Sequence, residues 1–170
     1  MKRQVLSILV ENTSGLLSHV AGLFSRRGYN IDSISAGVTA DPRFTRITIV
    51  TSGDELLLEQ IQKQVAKLED VVNIKILSLR NSVTRELMLV KLSMKLPDER
   101  HSVFTLGDTI EQFHGKVVDR NPDSVVIEVT GNTDKLDSFL ENLGDYEILE
   151  LARTGLTGLS RGSDDVFIVD

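Results

Sequence analysis

Apolar and polar residues switch between two periods along this chain, and the switches mark out the elements. From Gln4 to Glu11 a short, β-branched apolar run interrupted only by Ser7 has the length of one buried strand. Val10-Glu11-Asn12-Thr13-Ser14-Gly15-Leu16-Leu17 then turns the chain, and from about Gly15 to Arg27 the residues Leu16, Val20, Leu23, Phe24 and Arg27 follow the 3.6 spacing of a helix buried on one face. Gly28 is placed as a C-terminal cap. Tyr29 to Val38 alternates as a second strand, Asp41-Pro42 supplies a turn, and Phe44 to Thr51 alternates as a third strand paired with the second. Ser52-Gly53-Asp54 opens a second helix carrying Leu57, Leu58, Ile61, Val65 and Leu68, and Val71 to Leu79 is a fourth strand. The order is βαββαβ.

The pattern then restarts. Asn81 to Arg85 is polar and reads as a linker; Glu86 to Leu96 alternates as a strand, and Asp98 starts a helix bearing Val103, Leu106, Ile110 and Phe113. Gly115 to Arg120 and Ser124 to Thr130 form a hairpin around Asn121-Pro122-Asp123, Asn132 to Leu143 is helical, and Tyr146 to Ala152 closes as a strand. The expected fold is α+β: two tandem ferredoxin-like βαββαβ domains, residues 4–79 and 84–162, each an antiparallel sheet with two helices on one face. Domains of that size bury only about 60% of their unfolded surface, so packing against a neighbour would add stability. Arg153 to Gly162, rich in glycine and without an acid, reads as a flexible tail, with docking against a partner as the alternative.

Charge narrows the partners. Met1 to Arg80 carries ten Lys/Arg against eight Asp/Glu, and the remainder nine against seventeen. With two tyrosines, no tryptophan and no basic run, the chain is a poor candidate for nucleic acid. No apolar run reaches membrane-spanning length and no export signal is evident. The absence of cysteine removes disulfides and thiolate metal sites and fits a cytoplasmic protein.

The turn holds the candidate chemistry. Asn12, Thr13 and Ser14 are helix-capping residue types, Gly15 permits a tight turn or a close ligand, and free N–H groups at a helix start favour an anion. A carboxylate held there, with the Asn12 amide as both donor and acceptor, suits a free amino acid; the same four residues also suit a plain strand end that caps a helix. No GxSxG, GxxxxGK[ST], HExxH or GxGxxG occurs, and His19, His101 and His114, without ligand-like spacing, read as helix-surface residues. Catalysis and metal binding are therefore not expected.

Val10 to Leu17, Gly22-Leu23-Phe24-Ser25-Arg26-Arg27-Gly28-Tyr29-Asn30-Ile31 and Arg85-Glu86-Leu87-Met88-Leu89-Val90-Lys91 closely resemble the small subunit of acetolactate (acetohydroxyacid) synthase, as does Gly155 to Gly162. The resemblance implies an N-terminal ACT domain, a C-terminal ferredoxin-like domain, and a non-catalytic regulatory role in branched-chain amino-acid (valine, isoleucine, leucine) biosynthesis. It implies a catalytic large subunit as partner, which holds thiamine diphosphate, magnesium and flavin, and a homodimer formed through ACT domains. It also implies allosteric feedback inhibition, typically by valine, with Asn12, Gly15, Leu16 and Leu17 on the first turn and Asn30 and Ile31 of the neighbouring chain as effector contacts. A fragment ending near Arg80 is then expected to bind effector without activating. Two other readings stand beside this one. A free-standing amino-acid sensor would differ in not co-purifying with a thiamine-dependent enzyme, and an acylphosphatase-like hydrolase would need an arginine at the turn, where none occurs.

Overall fold

The structure is a computed structural model that describes residues 2–78, 80–95, 103–144 and 146–163. The expected strand end at Leu96, the helix start at Asp98, His101 and the acidic end from Asp164 lie outside the described residues. Contacts divide the chain into two compact units: Met1–Thr84 with Leu156–Asp170, and Arg85–Gly155.

In the first unit the elements run β1 (Lys2–Glu11), α1 (Leu16–Arg27), β2 (Ser33–Val38), β3 (Phe44–Gly53), α2 (Glu55–Val65) and β4 (Val71–Ile76). The antiparallel sheet has the order β2-β3-β1-β4. Because successive strand residues face opposite sides, Leu6, Ile8 and Val10 of β1 and Ile47 and Ile49 of β3 share one face. They pack with Val20, Phe24, Leu58 and Ile61 of the helices in one buried core. Gly28 ends α1 at φ +67, donating its N–H to the Ser25 carbonyl, and Asp54 caps α2 by accepting from the Leu57 N–H at 2.8 Å.

Strand β2 is shorter than its alternation predicts. Tyr29 turns inward to meet Phe24 edge to face at 6.0 Å, and the Asp32 carboxylate collects the Asn30 amide and the Ser52 hydroxyl. Residues 29–32 are therefore a loop.

The second unit holds most of β5 (Ser82–Ser93), then α3 (Val103–Gln112), β6 (Lys116–Arg120), β7 (Ser124–Gly131), α4 (Thr133–Asn142) and β8 (Ile148–Arg153), with the sheet order β6-β7-β5-β8. Met88, Val90, Leu92, Val125, Ile127 and Val129 form its core with Leu136 and Phe139. Arg153 donates from Nε and Nη2 to both oxygens of the buried Glu86 carboxylate, at 3.1 and 2.9 Å, and from Nη1 to Asp137 at 2.7 Å. That two-pronged pairing is what makes a buried acid tolerable.

Two expectations change at the boundary between repeats. The polar stretch expected as a linker is already strand from Ser82, whose hydroxyl donates to the Ser78 carbonyl and is buried. The segment expected as a flexible tail returns to the first unit: β9 (Thr157–Ser160) pairs with β5, and Leu156 is buried with Val5, Val50 and Leu77. A Cβ on Gly158 would lie 2.9 Å from the Val83 carbonyl oxygen, so only glycine lets this strand lie so close. Among the described residues, no helix is long and apolar enough to cross a membrane.

Candidate functional site

The site grows from the turn between β1 and α1. Gly15 stands at the N-cap of α1 with φ +86, a left-handed conformation, and no side chain caps the helix. Asn12, Thr13 and Ser14, all capping residue types, do not cap it; Asn12 and Thr13 are used elsewhere. The Asn12 N–H donates to the Arg43 carbonyl at 2.7 Å, its Nδ2 donates to the Pro42 carbonyl at 3.1 Å, and its Oδ1 accepts from the Thr45 hydroxyl at 3.1 Å. Pinned in this way to the β2–β3 turn, the amide keeps one N–H and one lone pair for a ligand.

Helix α1 begins without an acid in its first turn. The Leu16 N–H reaches only the Thr13 carbonyl, at 3.4 Å, and among the described residues the N–H groups of Gly15, Leu17 and Ser18 have no backbone partner. Such groups at the positive end of a helix attract a small anion.

A cleft of about 410 Å³ opens beside them. One wall is the turn and first helical residues, Asn12, Thr13 and Gly15 to Ser18; the other is Ala36, Gly37 and Val38 of β2 with Thr45 of β3. Register explains the second wall, since Val38 pairs with Thr45 and Ala36 with Ile47 across β2 and β3. Leu17 and Val38, 51% and 60% exposed, offer apolar surface, whereas Leu16 is largely committed to the core.

Four of the six residues expected at the site are thus brought together: Asn12, Gly15, Leu16 and Leu17. Asn30 and Ile31 of the same chain are not among the lining residues. Asn30 is exposed and donates to Asp32 at 2.6 Å, and Ile31 packs against the first core. Sequence reasoning missed Thr13, Ser18, Ala36 to Val38 and Thr45 as wall residues. The alternation placed Ala36 and Val38 on a strand, but their approach to the turn depends on sheet register.

Asp70, just before β4, gathers two side chains from this turn and helix. His19, read from sequence as a plain surface residue, meets it with Nδ1 3.0 Å from Oδ2, while the Thr13 hydroxyl donates to Oδ1 at 3.0 Å. The His19 bond first, and the Thr13 bond second, hold the Asp70 carboxyl below the usual carboxylate range. A depressed carboxyl supports the fold above its unfolded pKa, and that support is lost as the pH falls through the folded value.

Comparison with known proteins adds an independent line. Residues 6–73 match the family model described as an AHAS small subunit-like ACT domain, and residues 85–162 match that of the small subunit of acetolactate synthase. The chain is 45% identical over 159 residues to a probable acetolactate synthase small subunit of Methanothermobacter thermautotrophicus, covering 94% of this chain and 93% of that one. It is 44% identical over 161 residues to the acetolactate synthase isozyme 3 small subunit of Escherichia coli, covering 94% and 96%. The crystal structure of an acetolactate synthase small subunit from Thermotoga maritima superimposes with a TM-score of 0.85 at 33% identity, covering 96% of this chain and 99% of that one.

Proposed function

The chain belongs to the acetolactate synthase small-subunit family, and on that premise we propose that it is the non-catalytic regulatory partner of a catalytic large subunit. In this reading it raises the activity of that subunit and passes on feedback inhibition by a branched-chain amino acid, valine first. Thiamine diphosphate, magnesium and flavin belong to the catalytic partner, and none to this chain.

The observation that carries the reading is the cleft at the start of α1, whose volume of about 410 Å³ lies in the range of small-molecule sites. The N–H groups of Gly15, Leu17 and Ser18 would take the effector carboxylate, and the spare donor and acceptor of Asn12 would orient its polar end. Leu17, Ala36 and Val38 would cover the side chain. One methylene in such a pocket discriminates by only about 1 to 3 kcal/mol, so isoleucine and leucine would compete at higher concentration.

The cleft borders an edge. Strand β2 is outermost in its sheet, and Ser33–Val38 contains neither charge nor proline, the usual protections of a free edge; the opposite edge strand, β4, carries Lys75. A second copy pairing antiparallel through β2 would form a two-fold interface. It would run the start of its own β2, preceded by Asn30 and Ile31, alongside Ala36 to Val38. Each effector would then be held by both chains, Asn30 and Ile31 coming from the second.

Asn30→Ala is expected to weaken valine binding about tenfold while leaving the thermal midpoint almost unchanged. Among the described residues the Asn30 amide makes an exposed bond to Asp32, whereas a hydrogen bond to a charged ligand group contributes roughly 1.5 to 3 kcal/mol. Calorimetry with valine checks it, and unchanged affinity would reject the second-chain half of the site. The reading as a whole is tested by co-purification. A tagged chain should retain a large thiamine-dependent enzyme, and a chain that binds valine but retains none would be a free-standing sensor.

A further inference from the structure

Resting on the effector reading just given, we propose that Asp70 is a positioning residue: it fixes the β1–α1 turn in the shape that receives the effector without touching the effector itself. Three bonds converge on it. Its carbonyl accepts the Glu11 N–H at 2.9 Å, its Oδ1 accepts the Thr13 hydroxyl at 3.0 Å, and its Oδ2 meets His19 Nδ1 at 3.0 Å. Glu11 ends β1, Thr13 lines the cleft, and His19 lies one turn into α1. A single residue therefore ties the chain down on both sides of Gly15, although it is not itself among the residues lining the cleft.

The turn needs this external support. Gly15 has no side chain and is left-handed, and the helix start has no side-chain cap. From the other side Asn12 is held by Pro42, Arg43 and Thr45. The Asp70 side chain is 20% exposed and that of His19 62%, so these are surface bonds whose part is to position the turn rather than to bury a charge. Without the carboxylate, Thr13 and the first turn of α1 lose a shared anchor. The N–H groups that must converge on the effector carboxylate would then spread over more orientations, and ordering them on binding would reduce affinity.

The test compares full-length variants by calorimetry with L-valine at pH 8, alongside thermal unfolding. Asp70→Ala should raise the valine Kd about tenfold, as expected for the loss of one to two polar anchors, and the fold should remain cooperative. Asp70→Asn separates positioning from charge. Its Oδ1 can still accept from Thr13, and its amide Nδ2 can donate to His19 Nδ1 in the tautomer that leaves that nitrogen as an acceptor. It should therefore return the Kd to within about threefold of the parent, with Thr13→Val falling between the two. Parent-like binding by Asp70→Ala, or equal weakness of Asp70→Asn and Asp70→Ala, overturns the proposal. Gly15→Asp run in parallel assigns the failure. If it too binds valine normally, the cleft is not the effector site, whereas loss of binding there with a parent-like Asp70→Ala rejects Asp70 alone.

Discussion

Gly15→Asp is expected to give a folded subunit that still activates its catalytic partner and no longer responds to valine. The Gly15 Cβ position is open, with nothing within 4 Å, so the new side chain meets no steric block at a residue that lines the cleft. Its carboxylate would occupy the anion position at the start of α1. Two like charges about 4 Å apart repel by roughly 4 kcal/mol at an effective dielectric near 20, a ceiling that exposure and salt reduce. A third of that is already about tenfold in affinity. The backbone adds a smaller effect, because φ +86 favours glycine and a non-glycine residue there costs on the order of 1 to 2 kcal/mol, aspartate and asparagine less than most. Gly15→Asn carries the same backbone cost without the charge, so it should lower the thermal midpoint by a similar few degrees and keep most of the valine response. Valine titration of acetolactate formation by the reconstituted enzyme reads the result. Normal inhibition would reject the site, and loss of activation together with inhibition would make the turn structural.

Leu156→Ala should destabilise the N-terminal unit although residue 156 is encoded at the far end of the chain. Leu156 is buried against Val5, Val50 and Leu77, its carbonyl accepts the Ser35 hydroxyl at 2.9 Å, and the strand that follows pairs with β5. Truncating a buried leucine costs about 2 to 5 kcal/mol, and a cluster of four residues belongs at the lower end. At about 4 to 8 °C per kcal/mol for a unit of this size, the midpoint of that unit should fall by roughly 10 °C or more. Differential scanning calorimetry checks it, and an unchanged midpoint would mean that the segment only rests on the surface. The same packing revises what to expect of a fragment ending near Arg80. Without Leu156 it would leave Val5, Val50 and Leu77 uncovered, so it should be less stable than the same fragment carrying residues 156–163.

Local pattern accounts for what could be read in advance. Strands β1 and β3 and both helices of the first unit declare themselves through Leu6, Ile8, Ile47 and Ile49 and through Val20, Phe24, Leu58 and Ile61, because one buried face imposes one period. Gly28 and Asp54 act as their residue types predict. The first turn was also legible, since capping residues, a glycine and a helix start coincide there. What escaped was decided by distant partners. Thr13 and Asp70 are 57 positions apart, Asn12 and Pro42 are 30, and Ser35 and Leu156 are 121, and no local spacing encodes such pairings. Strand β9 is the plainest case: Thr157-Gly158-Leu159-Ser160 is too short and too glycine-rich to declare itself, and the glycine that suggests flexibility is the residue that permits close packing.

The central claim is that this chain governs a catalytic partner and reads a branched-chain amino acid at the first turn of α1. The measurement that tests it most directly is acetolactate formation by the purified large subunit, alone and with increasing amounts of this chain, each with and without valine. The account predicts low activity for the large subunit alone and a saturable rise as the chain is added. It also predicts inhibition by valine that appears only when the chain is present and is abolished by Gly15→Asp. A rate indifferent to the chain, or valine inhibition of equal strength without it, would contradict the account.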